Sequence, residues 1–256
     1  MGYGEAAEYE PGAEFYDLMM GDRTAHIDFY SGLALPGQTS FVDLGCGTGV
    51  VTAAVARAMR VQSPDRPLRI CGIDGSMRML ERAQAHHADI EWVQGDLRHV
   101  ASMEPFELAT CCFHTLQVFD DDGLALVLQS ARRLLVTGGR FAFDLYRPNW
   151  SVIGAEPRTR TVRSLVDARG RPLRIDEESN FDPATEIYAL HWTLRHDDAA
   201  SEKLAQFHFR FWQHEPEAVE AHLGAARFSV IERYGDLDKS AFGTISKRQV
   251  LVCEAL

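Results

Sequence analysis

Between residues 40 and 145 the chain alternates two kinds of apolar pattern. The short runs TSFVDL, PLRICGID, DIEWVQGD, FELATCCF and RFAFDL read as strands that are apolar on both faces. Between them apolar residues recur at helical spacing. Val50, Val51, Ala54, Val55, Ala58 and Met59 share one helical face, and Leu124, Val127, Leu128, Ala131, Leu134 and Leu135 share another. Ser76 is placed to cap a helix carrying Met79, Leu80 and Ala83, and Gly138-Gly139 are placed to end the later helix. This alternation predicts an α/β fold: a doubly wound, mostly parallel sheet with helices on both faces.

After residue 145 the pattern changes. Residues 159–167, 171–181, 186–196 and 202–212 read as strands with no helix between them. In FDPAT, Asp182 starts a turn and Pro183 fixes the next φ. A run of hairpins at this place predicts a small antiparallel β insertion after the fifth strand. Pro216 then opens a short helix to Gly224, and RFSVIERYG and RQVLVCEAL read as two last strands. Residues 1–40 read as helical and discontinuous, broken at Pro11, Gly21 and Pro36. The expected organisation is a helical lid over 1–40, a core of 41–146 and 214–256, and an insertion at 147–213 covering the substrate site.

Composition narrows the partners. Of 256 residues, 46% are apolar and 25% charged, which suits a globular chain with a sizeable core. Lys and Arg number 26 against 37 Asp and Glu, a net charge of -11 that argues against a nucleic-acid partner. The five cysteines are odd in number and form no C-x-x-C pair, which predicts reduced thiols and a cytoplasmic setting. The start MGYGEAAEYE has no apolar core of a signal peptide, and no stretch is long enough to span a bilayer, so no membrane association is expected.

The densest chemical signal is FVDLGCGTGVV, where Gly45, Gly47 and Gly49 follow the first strand. Ligands of an open parallel sheet sit beyond the carboxyl ends of its strands. The dinucleotide fingerprint G-x-G-x-x-G fails here, because its third glycine position is Val50. Asp43, just before the turn, would repel a pyrophosphate and suits a zwitterion or cation. Asp74 ends the second strand, where an acid can take both hydroxyls of a ribose, and Asp96 ends the third. The three strand ends together suggest a nucleoside with a zwitterionic tail and no phosphates, S-adenosylmethionine.

At this point the chain resembles the class I S-adenosylmethionine-dependent methyltransferases, particularly the bacterial small-molecule group. The resemblance rests on VDLGCGTG, GIDGSMRML, VQGDLR, FELATCCFHTLQVF, LLVTGGRFAFDLY and GDLDKSAFGTISKRQVLVC, with DRTAHIDFY near the start. It implies a Rossmann-like sheet of seven strands, the last antiparallel, and S-adenosylhomocysteine as product. It implies that Gly45, Cys46 and Gly47 pass under the methionine and ribose, with Asp43 near the amino group and Asp74 on the ribose hydroxyls. Gly75, Ser76 and Met79 would border the adenine, Asp96 would take its amino group, and the Leu97 backbone would read a ring nitrogen. Phe113 and His114 would stand near the sulfonium, and Tyr16 would come down from the lid. His114 and Tyr16 are the catalytic candidates. Gly75 departs from the group's bulkier residue at that position, and the His114 position varies within it.

Methyl transfer from a sulfonium needs alignment and exclusion of water more than a fixed catalytic triad. The stretch CFHT lacks the Asn/Asp-Pro-Pro-aromatic tetrad of enzymes that methylate base amines, no Pro-Cys pair occurs, and paired glutamates are missing from 106–119. A small organic acceptor, methylated on nitrogen or oxygen, is the expectation, with biosynthetic tailoring as the setting. His114, Tyr146, Trp192 and Phe209 are the substrate-side candidates. In LAQFHFRFWQ, Phe207, Phe209 and Phe211 share a strand face, which reads either as pocket wall or as core, with a homodimer contact through the inserted sheet as a further reading. No metal is expected: the adjacent His86 and His87 cannot share one helix face. A nucleotide-dependent oxidoreductase, a non-catalytic cofactor-binding protein and another chemistry of the sulfonium are the competing readings.

Overall fold

The computed structural model describes residues 9, 12–153, 158–167, 169–198 and 201–256. Of the residues singled out above, Pro11 lies outside them. In chain order the elements begin with helices α1 (Ala13–Met20) and α2 (Thr24–Ser31). The alternating region follows as β1 (Ser40–Leu44), α3 (Val50–Gln62), β2 (Arg69–Asp74), α4 (Met77–His86), β3 (Glu91–Gln94), β4 (Phe106–Cys111), α5 (Asp121–Arg133) and β5 (Leu135–Tyr146). After the short helix α6 (Trp150–Ile153) come the strands of the insertion, β6 (Arg158–Val166), β7 (Pro172–Asp182), β8 (Ile187–His196) and β9 (Lys203–Trp212). The chain closes with α7 (Pro216–Ala225), β10 (Phe228–Tyr234) and β11 (Arg248–Ala255).

The main sheet has seven strands in the order β10-β11-β5-β4-β1-β2-β3. β1 through β5 pair in parallel, and β11 lies antiparallel between β5 and β10. The sequence order reverses between β1 and β4, so the strand ends carrying Asp43 and Cys111 flank the switch point where ligands bind. Both faces of the sheet are covered. Leu124, Val127 and Leu128 of α5 and Val219 and Leu223 of α7 pack on one side with Phe106, Phe141 and Phe143. Phe29 and Tyr30 of α2 and Val55 and Met59 of α3 pack on the other with Phe41 and Val252. Each fully buried phenylalanine of this core contributes roughly 1.5–3 kcal/mol.

The insertion is a separate antiparallel sheet, β6-β7-β8-β9, built of successive hairpins as the turn residues require. One expectation fails. Gly138-Gly139 do not end α5, which stops at Arg133 with Leu134 as its cap; Leu135 already belongs to β5. The glycines instead form an irregularity inside β5, between the pairs Phe106–Leu135 and Leu108–Arg140. Gly138 has φ +78°, and a Cβ on Gly139 would meet the Val136 carbonyl oxygen at 2.8 Å. Among the described residues no helix is long and apolar enough to cross a membrane. All five cysteines are free thiols.

Candidate active site

The chain leaves β1 through a turn of left-handed glycines. Gly45, Gly47 and Gly49 have φ of +73°, +54° and +78°. The Gly45 and Cys46 amides donate to the Ile73 carbonyl at 2.8 and 3.1 Å, tying the turn to β2. Packing demands two of the glycines: a Cβ on Gly45 would meet Thr115 Cγ2 at 2.4 Å, and one on Gly49 would meet Trp92 Cη2 at 2.4 Å. Gly47 differs. Its Cβ would point into open space beneath Tyr16, whose nearest atom is 4.0 Å away. Gly47 is therefore the glycine that leaves room for a ligand.

A cavity lies over this turn. Asp43, Gly45, Cys46, Gly47, Asp74 and Gly75 line its floor. Met79, Asp96, Leu97 and Phe113 line its sides, and Tyr16 closes it from above. Ser76 is not on the wall. It caps α4, accepting the Met79 amide at 3.2 Å, so the capping expectation holds and its place beside adenine does not follow.

The three acids differ in environment. Asp43 is buried and accepts hydrogen bonds from Thr52 Oγ1 at 2.6 Å and Thr110 Oγ1 at 2.7 Å. Burial outweighs these bonds and raises its carboxyl to about 6. Asp74 spends one oxygen on the Gly47 amide and the other on the Ser76 amide, both at 2.8 Å, and so holds the shape of the turn. Asp96 caps the short turn Leu97–His99 and is gripped by Arg98 at 2.8 Å. Burial works to raise its pKa, but Arg98 outweighs that and holds it below the usual range.

The wall above the glycine turn comes from α1 and the bend before α2. Arg23 is buried, lines the cavity, donates to Asp17 at 2.7 Å and lies over the rings of Tyr16 and Phe113. Burial pushes the Tyr16 hydroxyl up to about 12, so it stays protonated and can donate but not take a proton.

Beyond Phe113 lies a second group of polar residues. Phe113 and His114 are both left-handed, with φ of 57° and 59°, a conformation that costs roughly 1–3 kcal/mol each unless the surroundings impose it. The imposing group is Asp144, at the end of β5. Its Oδ1 accepts the Phe113 amide at 3.1 Å and the Tyr30 hydroxyl at 2.6 Å. Nδ1 of His114 lies 3.1 Å from its Oδ2, and Nε2 of His26 lies 3.6 Å from the same oxygen. Burial alone would raise the Asp144 pKa; the two imidazoles and Tyr30 outweigh it and hold the carboxyl well below its usual range. Burial lowers His114 to about 4, against the pull of Asp144, so its ring is neutral at pH 7. Tyr146 stacks on His114 with ring centroids 3.6 Å apart.

The insertion reaches this site at one remove. Phe207 and Phe209 are buried against α1 and Met79 in one apolar cluster. Phe209 packs on Tyr9 and Phe207 on Tyr16, and both tyrosines line the cavity. Trp192 meets Phe209 edge-on and donates to Glu177 at 2.8 Å. None of the four predicted substrate-side residues, His114, Tyr146, Trp192 and Phe209, is on the cavity wall itself; His114 stands directly behind it, between the lining residues Phe113 and Thr115.

Comparison with known proteins agrees with this geometry. Residues 41–139 match the family model described as a methyltransferase domain. This stretch of the chain is similar to methyltransferase domains. Over its whole length the chain shares the fold of solved structures: the CcbJ methyltransferase of Streptomyces caelestis superposes with a TM-score of 0.83, at 21% identity over 99% of both chains. The sugar N-methyltransferase KedS8 of Streptoalloteichus gives a TM-score of 0.71 at 18% identity, over 93% of this chain and 90% of that one. Among curated proteins, the 2-phytyl-1,4-naphtoquinone methyltransferase of Thermosynechococcus vestitus is 33% identical over 47% of this chain. The matched part spans 52% of that relative's own length, about half.

Within the matched core the sequence motifs identify the floor of the cavity and Arg98 on its side, and they miss the role of Arg23. Arg23 falls in DRTAHIDFY, but nothing in its spacing marks it as inward-facing. Asp144 had a local signal, an acid inside the apolar run RFAFDL. His26 and Tyr30 fall in DRTAHIDFY as well, but nothing there marks their partner, which lies 114 residues away from Tyr30 along the chain.

Proposed function

We propose that this chain is an S-adenosylmethionine-dependent methyltransferase acting on a nitrogen or oxygen of a small organic molecule, in cytoplasmic natural-product biosynthesis. The observation that carries the reading is the charge arrangement around Gly47. Arg98 on the cavity wall is paired with Asp96, which leaves the buried Arg23 as the cation facing Asp43 and Asp74. A pyrophosphate would meet two carboxylates there. A zwitterionic nucleoside finds Arg23 for its carboxylate, Asp43 for its ammonium and the Asp74 carboxylate for its ribose hydroxyls. The residues present fit that group.

Bound in this cavity, the cofactor supplies a methyl group already activated on a sulfonium. The chain's own work is placement and exclusion of water, which can supply roughly 7–11 kcal/mol of the barrier. Gly47 lets the backbone come close, Met79 and Leu97 offer apolar contact to a base, and Tyr16 with Met20 roofs the cavity. His114, neutral at pH 7, takes the proton that a nitrogen or oxygen acceptor gives up, and Tyr146 supplies a flat face beside it. Nitrogen is favoured because several structural neighbours, KedS8 and the amino pentose methyltransferase CalS10 of Micromonospora echinaspora among them, carry amine or amino-sugar methylation in their names.

Calorimetric titration tests the reading. Micromolar binding of S-adenosylmethionine and S-adenosylhomocysteine, with no binding of NAD(H), is expected, followed by methyl transfer in an acceptor screen. Binding of NAD(H), or of none of these, overturns it.

A further inference from the structure

Three polar atoms meet at the end of β5 with nothing else to bond. Asp144 Oδ2, His114 Nδ1 and His26 Nε2 are all sealed from solvent and none has an aligned hydrogen bond. Leaving such a group unsatisfied costs about 1–3 kcal/mol, so the arrangement needs a reason. His114 Nδ1 faces Oδ2 at 3.1 Å and lacks only alignment. Catalytic hydrogen bonds are often loose before the reactants bind and tighten afterwards.

We propose that Asp144 is the positioning residue of this site: it holds His114 with its proton on Nδ1 and its Nε2 lone pair free, ready to take a proton from the methyl acceptor. The inference rests on the methyltransferase reading and deepens it. Oδ1 of Asp144 is fixed by two donors, Tyr30 and the Phe113 amide, so Oδ2 has no choice of direction and faces the two imidazoles. The Phe113 bond also sets the left-handed turn that carries His114, so one carboxylate orients both the ring and the backbone beneath it. His114 is itself buried and stands directly behind the cavity wall. The residues on either side of His114, Phe113 and Thr115, line the cavity.

The groups facing His114 come from every element around it: Asp144 and Tyr146 from β5, His26 from α2, Arg248 from β11 and Asp236 from the preceding loop. Burial, Arg248 and His26 disfavour a charged ring, and Asp144 and Asp236 favour one. In the step itself a lone pair of the acceptor atom would form the new bond to the methyl carbon, the C–S pair would stay on sulfur as a neutral thioether, and the acceptor's N–H or O–H bond would break with its pair left on the acceptor atom and its proton on Nε2. This names the substrate class: an ammonium, amine or hydroxyl, which has a proton to give. An ionised carboxylate acceptor would leave His114 without a task.

Nitrogen-15 NMR of histidine-labelled protein tests this without an acceptor. His114 is assigned by the loss of its signals in His114→Gln, and spectra are taken with and without S-adenosylhomocysteine. The expected result at pH 7 is a protonated Nδ1 and a bare Nε2. In Asp144→Asn, Tyr30 and the Phe113 amide should pin the new carbonyl at the Oδ1 position and turn the amide nitrogen toward His114. The proton should then move to Nε2, the tautomer unable to accept. A wild-type ring protonated on Nε2, or a folded Asp144→Asn protein with an unchanged tautomer, overturns the proposal. If Asp144→Asn does not fold, the wild-type tautomer alone decides. Calorimetry with S-adenosylhomocysteine on the same sample separates the two claims: binding with the wrong tautomer sinks only this inference, and absent binding sinks the methyltransferase reading.

Discussion

The hydroxyl of Thr48, inside the glycine turn, donates to Oδ1 of Asp17 on the N-terminal helix at 2.6 Å. Arg23 donates to the same oxygen at 2.7 Å, and Arg82 of α4 lies 3.7 Å from the other. One side chain of α1 thus ties that helix to the glycine turn, to Arg23 and to α4. Burial tends to raise the Asp17 pKa, and Thr48, Arg23 and Arg82 outweigh it and hold it below the usual range. Asp17 is a third exposed, so the latch is worth less than a buried pair, roughly 1–2 kcal/mol. Asp17→Ala should therefore speed release of S-adenosylhomocysteine about 10-fold. Stopped-flow displacement measures it; an unchanged release rate would mean that α1 does not retain the ligand.

Asp43 predicts a pH dependence of opposite sign to that of an ordinary paired carboxylate. Its folded pKa is raised to about 6, chiefly by burial, so the folded protein holds the proton more tightly than the unfolded chain. Its contribution to stability is fully present below the unfolded value and is lost as pH rises through about 6. The ionised side chain then costs the empty site on the order of 2–3 kcal/mol. A ligand ammonium offsets that cost. Affinity for S-adenosylhomocysteine should climb by up to about 10-fold per unit between pH 5 and 6 and level off above 7. Asp43→Asn should bind more weakly, with a flat profile, in a protein more heat-stable at pH 8 than the parent. An Asn variant that keeps the slope would place the titrating group elsewhere.

The glycine turn separates folding from binding at single positions. Gly49→Ala drives a Cβ into Trp92 and Ala83 and sets it in the left-handed region; the loss should exceed 3 kcal/mol and show in the denaturant midpoint. Gly47→Ala meets open space, so only the left-handed conformation costs, about 1–2 kcal/mol. Its methyl group enters the cavity beneath Tyr16, and ligand affinity should fall at least 10-fold in a folded protein. Equal effects of the two substitutions on binding and stability would contradict this division.

Local patterns made most of this core legible. The periodicities fix the strands and helices because burial on both faces of a parallel sheet leaves no polar alternation to misread. The FDPAT turn and the capping Ser76 were equally readable, since each is settled within four residues. Gly138-Gly139 misled because a helix end and a strand irregularity ask for the same freedom at φ > 0, and only the pairing of Phe106 with Leu135 distinguishes them. The floor of the cavity was readable from contiguous motifs. The Asp144 cluster was not, because it joins α2, the end of β4 and β5, and no spacing along the chain encodes that meeting.

The stacked phenylalanines of the insertion decide whether its sheet is wall or core. Phe207, Phe209 and Phe211 lie nearly parallel, with centroids 5.8 and 6.1 Å apart. Phe207 sits hard under α1: a Cβ on Gly12 would meet its ring at 2.4 Å. Truncating such a ring removes contacts that α1 cannot replace, at a cost of roughly 3–5 kcal/mol. Phe207→Ala should therefore lower the melting temperature and weaken S-adenosylhomocysteine binding together, through Tyr16 above it. Phe209 packs on Tyr9, farther from the glycine turn, and Phe209→Leu keeps most of the volume. Phe209→Leu should leave cofactor affinity within about 2-fold, because a volume-conserving apolar swap costs less than about 1.5 kcal/mol. Any effect it has should fall on the acceptor KM, by way of Tyr9. Comparing the two variants by calorimetry and scanning calorimetry separates the readings: cofactor binding lost in both makes the face core throughout, and binding kept in both removes the insertion from the support of α1.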